Sequence, residues 1–191
     1  GGGIYCNSSG ILEINNPPVN ALSLDLVSQF EKIISSLDRN LKILIIKGND
    51  RGFCAGADLK ERSAMNNFET ISVVDSYRKL FHDIENIPCP TIARIKGYAL
   101  GGGLELALSC DFRYLTKDSI IGFPETSLGI IPGSGGTQRL SKLIGINKAK
   151  KWILTANKFT AEQAFNDNVV DQCFDSEEEM DHHINHLIKM I

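Results

Sequence analysis

The chain has 191 residues, of which 42% are apolar and 23% are charged, and its formal net charge is −3. This balance is typical of a globular domain with a sizeable core and excludes a disordered or collagen-like chain. The slightly acidic charge gives no general reason to expect binding to nucleic acid or to a membrane surface, and apolar runs such as 43–46 are far too short to cross a bilayer.

The first half of the chain alternates short apolar strands with amphipathic helices. Ser23 is a suitable N-cap because apolar residues at helical spacing follow it. Residues 42–47 are typical of a buried strand, since four of them in succession are apolar and mostly β-branched. We predict strands at 11–14, 42–47 and 91–95, one helix after Ser23, and a second from Asn66 or Asn67 to about Glu85.

Helices predominate in the second half, which a triple glycine at 101–103 opens. We predict helices at 104–109, 137–143, 147–155, after Thr160 and at 177–191, and extended segments near 112–115, 120–122 and 169–173. Strands that alternate with helices predict an α/β fold with βαβ-type crossovers. The final helix has one apolar face, which must pack on this domain, on a partner chain or on helices outside the chain.

Two glycine-rich loops are the strongest candidates for chemistry. One lies at 53–58 and the other at 98–105, where it follows a strand and opens a helix. One backbone N–H from each loop, aimed at the same carbonyl oxygen, would form an oxyanion hole. The alternative is that the glycines only permit tight packing, and the spacing alone does not decide. The G-x-x-x-x-G-K-[ST] and G-x-G-x-x-G patterns are absent, which excludes nucleotide hydrolysis and nicotinamide binding.

Two glutamates accompany these features. Glu105 follows the triple glycine by two residues in an apolar stretch, and Glu125 follows Gly122 within another. A helix N-terminus favours an ionised Glu105, which suits a base, and apolar neighbours favour a protonated Glu125, which suits an acid. Each residue alone would more simply be a capping or surface carboxylate.

Four stretches of the chain together resemble the enoyl-CoA hydratase/isomerase (crotonase) superfamily. They are Asn-Ala-Leu-Ser at 20–23, Phe-Cys-Ala-Gly-Ala-Asp-Leu-Lys-Glu at 53–61, 97–105, and 122–140 with Ile-Pro-Gly-Ser-Gly-Gly-Thr-Gln-Arg-Leu at its end. The resemblance implies a crotonase-like ββα spiral core at 4–175 and the start of a C-terminal helical region at 176–191. Members usually continue into further C-terminal helices, so this portion is expected to be truncated here.

The resemblance also implies a role for individual residues. The amides of Ala57 and Gly102 would form the oxyanion hole for a CoA thioester, while Glu105 and Glu125 would hold the reacting water. Glu105 would act mainly as the base, and Glu125 would protonate Cα. Residues expected to contact the substrate or to shape the water site are Ala55, Asp58, Lys60 and Gly133. No metal or redox cofactor is expected, because CoA arrives as part of the substrate.

The presence of both Glu105 and Glu125 favours a hydratase that adds water syn to an enoyl-CoA. The alternatives are an isomerase of the same superfamily, a protein similar to the AU-rich RNA-binding 3-methylglutaconyl-CoA hydratase, and a non-catalytic partner subunit. For RNA, Arg94 and Lys96 would form a local positive patch near Arg78 and Lys79, although we favour a solvated strand edge and helix face there. The resemblance implies a homo-oligomer, trimer or hexamer, at full length, no membrane partner, and a mitochondrial or otherwise cytoplasmic location in fatty acid metabolism.

Four further features do not indicate additional chemistry. His182 and His186 share one helical face, but a metal site is not expected without a suitable carboxylate nearby. Cys54 has no histidine near it in the sequence to activate it as a nucleophile. Trp152 is expected in the core. The five cysteines are widely spaced and predict neither a disulfide framework nor a zinc site.

Overall fold

The computed structural model describes residues 2–57, 61, 65–124, 136–155 and 157–191. The described strands are β1 (Gly3–Cys6), β2 (Ile11–Asn15), β3 (Ala21–Leu22), β4 (Leu44–Lys47), β5 (Gly56–Ala57), β6 (Thr91–Ile95), β7 (Tyr98–Leu100), β8 (Phe112–Thr116), β9 (Ile120–Gly122), β10 (Lys158–Thr160) and β11 (Gln172–Phe174). The described helices are α1 (Leu24–Ser35), α2 (Asn67–Glu85), α3 (Gly102–Leu108), α4 (Gly136–Ile144), α5 (Ile146–Leu154), α6 (Ala161–Asn166) and α7 (Glu177–Met190).

The strands form one large sheet and two small ones. The large sheet has six strands in the order β1-β2-β4-β6-β8-β11, and all its neighbours are parallel except β1 and β2. The small sheets are β10-β9-β7 and the parallel pair β3-β5. Parallel strands with helices between them confirm the predicted α/β class with crossover connections.

Helix starts were the best-predicted boundaries because each has a local chemical signal. The Oγ of Ser23 accepts a hydrogen bond from Leu26 N at 3.3 Å, and the Oδ1 of Asn66 accepts one from Glu69 N at 2.8 Å. Thr160 forms a complete capping box with Gln163. These side chains satisfy amides that the helix itself leaves without a partner. The short strands β1, β3, β5, β7 and β10 were not predicted.

The two faces of the large sheet belong to two separate hydrophobic clusters. Ala93 and Ile95 of β6 lie in the larger cluster with residues of α1, α2 and α3, while Ile92 lies in the smaller one. Met180 and Ile184 of α7 complete the smaller cluster. The apolar face of the final helix therefore packs on this domain's own sheet, which decides among the three partners that the sequence left open.

Arg94 corrects two expectations. It lies on the central strand β6 between β4 and β8, not at a sheet edge, and only 9% of it is exposed. Its guanidinium binds Asp181 through two nitrogens, at 2.6 and 3.0 Å, and Glu177 at 3.0 Å. Lys96 also contacts Glu177, at 3.1 Å.

The positive patch, which was only the less favoured alternative, is not formed by these four side chains. Arg78 and Lys79 lie on α2, where Arg78 pairs with Asp75 at 3.5 Å and Lys79 pairs with Glu31 at 3.3 Å. α2 contributes to the larger cluster, whereas Arg94 faces α7 on the other side of the sheet. Ala93 and Ile95 of β6 point to the face on which α2 lies, so Arg94 between them points to the opposite face, away from Arg78 and Lys79.

The ion pairs of Glu177 predict a pH-dependent contribution to stability. Burial opposes ionisation of this carboxyl, but hydrogen bonds from Arg94 and Lys96 outweigh it and lower its pKa. Because the pKa of Glu177 is lower in the folded protein than its ordinary value of about 4.3, the ionised carboxylate stabilises the fold at pH values above about 4.3. This stabilisation is lost as the pH falls through the lowered pKa of the folded state. We expect Glu177→Gln to lower the free energy of unfolding by about 1 kcal/mol at pH 7, because the side chain is partly exposed.

Chemical denaturation from pH 7 to pH 3 measures this effect. The difference between wild type and Glu177→Gln should shrink towards the acid end of the range. Glu178→Gln, which changes the neighbouring exposed glutamate, is the matched control and should leave the stability within about 0.5 kcal/mol. A difference that stays constant across the range would contradict the assignment.

Candidate active site

The two glycine loops meet in the structure, although they lie more than forty residues apart in the sequence. Cys54 and Ala99 form a parallel bridge, and Leu100 N donates to Cys54 O at 3.0 Å. A Cβ added to Gly56 would lie 2.9 Å from Gly102 N, and one added to Gly103 would lie 2.1 Å from Cys54 O. The glycines thus permit tight packing, and that packing is what places the Gly102 amide beside the first loop.

Helix α3 presents its first amides at this contact. Gly101 precedes the helix with φ 57° and ψ −121°, a conformation suited to glycine, and its own N–H donates to Gly122 O at 2.9 Å. The first amides of any α-helix have no acceptor within the helix and carry the positive end of its dipole. Gly102 and Gly103 are therefore placed as donors where the two loops meet.

Glu105 lies one turn further along the same helix. Glu105 is fully buried, and both of its carboxylate oxygens are screened from solvent. Its backbone amide donates to Gly101 O at 3.1 Å. Residues three apart share a helix face, so Glu105 and Gly102 lie on the same side of α3. A buried carboxyl close to backbone donors interacts with its surroundings more strongly than it would in water.

The second predicted catalytic carboxyl group lies outside the described residues, as do three of the residues that were predicted to contact the substrate. These residues are Glu125, Asp58, Lys60 and Gly133. The chain that leads to Glu125 is described, and it pairs Leu100 of β7 with Gly122 of β9. The course of β9 therefore brings the chain to the start of α3 only three residues before Glu125, whose role as an acid stays a prediction.

Ala55 and Ala57 lie on the first loop. Ala57 belongs to β5, which pairs in parallel with β3 through Leu22. The amide of Ala55 donates to Asn20 O at 3.2 Å, so any contact of its backbone with a substrate falls to its carbonyl. Their predicted roles in binding stay predictions.

Asn20 holds this loop in place, a role that sequence reasoning missed. The residue is fully buried with φ 59°, and its amide nitrogen donates to the carbonyls of Ile14, Gly52 and Phe53 at 3.0, 3.2 and 2.8 Å. Its Oδ1 accepts from Asn16 N at 2.7 Å. The sequence carried two signals: Asn20 ends the turn that contains Pro17 and Pro18, where asparagine tolerates the left-handed conformation, and it opens the Asn-Ala-Leu-Ser stretch at 20–23.

Cys54 is chemically inert in this setting. Burial raises the pKa of its thiol to about 12, although the Gly56 amide, 3.4 Å from the sulfur, favours the thiolate slightly. The thiol therefore stays protonated at neutral pH, in agreement with the view that it is not a nucleophile.

The remaining candidates of the sequence also have structural roles. Trp152 is fully buried, stacks on Phe159 with ring centroids 3.8 Å apart, and donates from Nε1 to Asp167 at 2.8 Å. His182 and His186 are both exposed, and His183 between them packs against Tyr114 and Phe174. Across the described ranges, no three His, Cys, Asp or Glu side chains are grouped as a metal site would require, and no helix is long and apolar enough to span a membrane.

Residues 7–191 match the family model of enoyl-CoA hydratase/isomerase. The chain belongs to this family. It is 44% identical over 173 residues to a probable mitochondrial enoyl-CoA hydratase 2 of Arabidopsis thaliana, covering 87% of this chain and 58% of that protein. It is 46% identical over 148 residues to the human mitochondrial methylglutaconyl-CoA hydratase, covering 76% of this chain and 44% of that one. The chain thus spans about half the length of these relatives.

The solved structures agree with this membership. An enoyl-CoA hydratase from Bacillus anthracis superposes with a TM-score of 0.88 at 36% identity, covering 98% of this chain and 76% of that one. DspI from Pseudomonas aeruginosa superposes with a TM-score of 0.90 at 31% identity, covering 97% and 73%. The fold expected from the resemblance, a crotonase-like α/β core, is confirmed.

Asn20 offers a test of how the first loop is held. Asn20→Gly keeps the left-handed backbone and removes the side-chain hydrogen bonds, so we expect it to destabilise the protein by about 2–3 kcal/mol. Asn20→Asp places a carboxylate against three carbonyl oxygens and should cost more, about 3–5 kcal/mol. The free energy of unfolding in urea measures both effects.

Asn168→Gly is the matched control for this series. Asn168 also has a positive φ, 65°, but it is exposed. We expect its change to glycine to alter stability by no more than about 0.5 kcal/mol. If Asn20→Gly were as mild as Asn168→Gly, the side chain of Asn20 would not be what holds the loop.

The burial of Cys54 predicts its reactivity. In the native protein at pH 8, iodoacetamide should label the exposed Cys6 and leave Cys54 unmodified, because a thiol of pKa about 12 in a closed site supplies almost no thiolate. Cys110, whose pKa burial also raises to about 12, is the internal control for a buried thiol. Peptide mass spectrometry before and after unfolding measures the labelling, and rapid native labelling of Cys54 would contradict its position.

Proposed function

We propose that this protein is an enoyl-CoA hydratase, which adds water syn across the 2,3 double bond of an enoyl-CoA thioester. The observation that carries the proposal is the contact of Gly56 with the Gly102 amide, with the buried Glu105 one turn away on α3. The printed names of the plant and human relatives, both hydratases, support the same reaction.

In the proposed reaction, the amides of Ala57 and Gly102 donate to the thioester oxygen. Water attacks C3 as Glu105 removes one of its protons, and the electrons of the double bond move onto the thioester oxygen to give an enolate. The enolate then takes a proton at C2 from Glu125. Backbone donors suit this step because they are fixed in advance where negative charge develops, and two carboxyl groups suit it because one accepts a proton while the other donates one.

CoA enters this proposal only as part of the substrate. Ala55, Asp58 and Lys60 would contact it from the first loop, and the backbone of Gly133 would help to shape the water site. No metal or redox cofactor is needed, because both protons come from water and carboxyl groups and no electron leaves the substrate.

An isomerase of the same family is the second candidate. A relative from Mycosarcoma maydis, 50% identical over 131 residues, is called an enoyl-CoA isomerase/hydratase. An isomerase would use the same donors with one carboxyl group moving a proton between carbons. The RNA-binding alternative has lost its support, since Arg94 and Lys96 are held by acidic side chains of α7.

A mitochondrial location and a homo-oligomer accompany the proposal. The location is supported by the relatives described as mitochondrial. They include the enoyl-CoA hydratase domain-containing protein 2 of Bos taurus, which is 44% identical over 163 residues. Size-exclusion chromatography with light scattering of the full-length protein tests the assembly, for which a trimer or hexamer is expected and a monomer would contradict the proposal.

The two-carboxyl assignment has a direct test. Glu105→Gln and Glu125→Gln should each lower kcat for hydration by about 100-fold or more, because each removes a proton acceptor or donor. Loss of the conjugated-thioester absorbance, with the 3-hydroxyacyl product identified by mass spectrometry, measures the reaction. Glu179→Gln, an exposed glutamate of α7, is the control and should keep the parent rate.

The products separate the candidates. If wild type gives an unconjugated enoyl-CoA and no 3-hydroxyacyl product, the protein is an isomerase. If either glutamine variant hydrates at the parent rate, the assignment of that glutamate is wrong.

A further inference from the structure

We propose that Arg113 is a positioning residue for the oxyanion hole and acts through helix α3. The inference rests on the proposed function, because it concerns the helix whose first turn carries the Gly102 amide. Arg113 is remote from the reacting atoms in this scheme and lies at the opposite end of the helix.

The guanidinium of Arg113 is built into the C-terminal end of α3. Its Nη1 donates to Cys110 O at 2.7 Å and to Ala107 O at 3.3 Å, and its Nε donates to Val169 O at 2.9 Å. Only 4% of the residue is exposed. The last carbonyls of a helix have no amide donor within it, and Ala107 O accepts from Cys110 N at 3.1 Å as well as from Arg113. A buried cation at this end also interacts favourably with the helix dipole.

The shortness of α3 links its two ends. Seven residues span only about 10 Å and form few internal hydrogen bonds, so such a helix depends on its surroundings for both stability and position. All seven residues are buried. A displacement of the C-terminal carbonyls therefore moves the Gly102 amide as well, since the helix behaves as one short rigid body.

Arg113 is held in position by the large sheet. Arg113 lies on β8 opposite Ala93 of β6, and its backbone amide donates to Asp171 Oδ2 at 2.7 Å. The same oxygen lies 4.0 Å from Nη2 of Arg113. The sheet, the guanidinium and α3 thus form a continuous connection from the rigid core to the proposed oxyanion donor.

Arg94 provides a matched control within the same sheet. It is also a buried arginine, on the neighbouring strand β6, but its partners are Asp181 and Glu177 of α7 on the other face. Removing either guanidinium should destabilise the protein. Only the loss of Arg113 should disturb α3.

The test compares Arg113→Met with Arg94→Met, both assayed well below their unfolding temperatures. For Arg113→Met we expect kcat for hydration to fall about 10- to 100-fold, with KM changed less than about 3-fold. The reason is that moving the donor weakens its hydrogen bond to the charged enolate more than its hydrogen bond to the uncharged substrate. The carbonyl stretching frequency of a bound unsaturated acyl-CoA, measured by difference Raman spectroscopy, should move towards that of the free thioester. Arg94→Met should keep the wild-type kcat and frequency.

Three outcomes would overturn the inference. They are a wild-type kcat and carbonyl frequency in Arg113→Met, equal changes in Arg94→Met, and a change in KM alone. If Arg113→Met does not fold, Arg113→Lys replaces it with the same criteria, since a single ammonium cannot reproduce the forked donation of the guanidinium to Ala107, Cys110 and Val169. A wild-type protein that neither shifts the carbonyl frequency nor hydrates the thioester would instead disprove the proposed function.

Discussion

The approach of two backbone segments, at Gly56 and Gly102, is the constraint on which the rest of this structure depends. A side chain at Gly103 would overlap the carbonyl of Cys54, and one at Gly56 would crowd the Gly102 amide, so the approach depends on glycine at both positions. Backbone donors at such a contact cannot rotate away as side chains do. The proposed chemistry needs this property, because a donor that is already in place stabilises a developing charge without first being reorganised.

Buried polar side chains hold the two segments from opposite directions. Asn20 satisfies the carbonyls of the first segment, and Arg113 satisfies those at the far end of α3. Unsatisfied carbonyls would be costly in a core from which water is excluded, so each of these side chains specifies one position for its segment. The site is thus supported by residues that take no part in the proposed reaction.

The large sheet separates this site from a second group of charges. Arg94 and Lys96 are bound by acidic residues of α7 on the face opposite to α2 and its own ion pairs. Arg94 and Lys96 are thus neutralised together on one face of the sheet, and the charges of α2 are neutralised separately on the other. Because of this separation, these four basic side chains do not form one basic surface, and the last helix packs its apolar face on the smaller cluster of the sheet.

The sequence by itself determined whatever depends on neighbouring residues. It predicted the starts of α1, α2 and α6 from their capping residues, the strands β2, β4 and β6 from their apolar runs, and the family from four ordered stretches, and all of these are confirmed. Only the tertiary structure decided that the Asn20 side chain binds the Phe53 carbonyl and that the Arg113 guanidinium binds carbonyls at the C-terminal end of α3. It also decided that Arg94 lies on a central strand and pairs with Asp181. Those contacts join residues distant in the chain, and no local pattern reports which strand a residue will lie beside or which face of the sheet it will occupy.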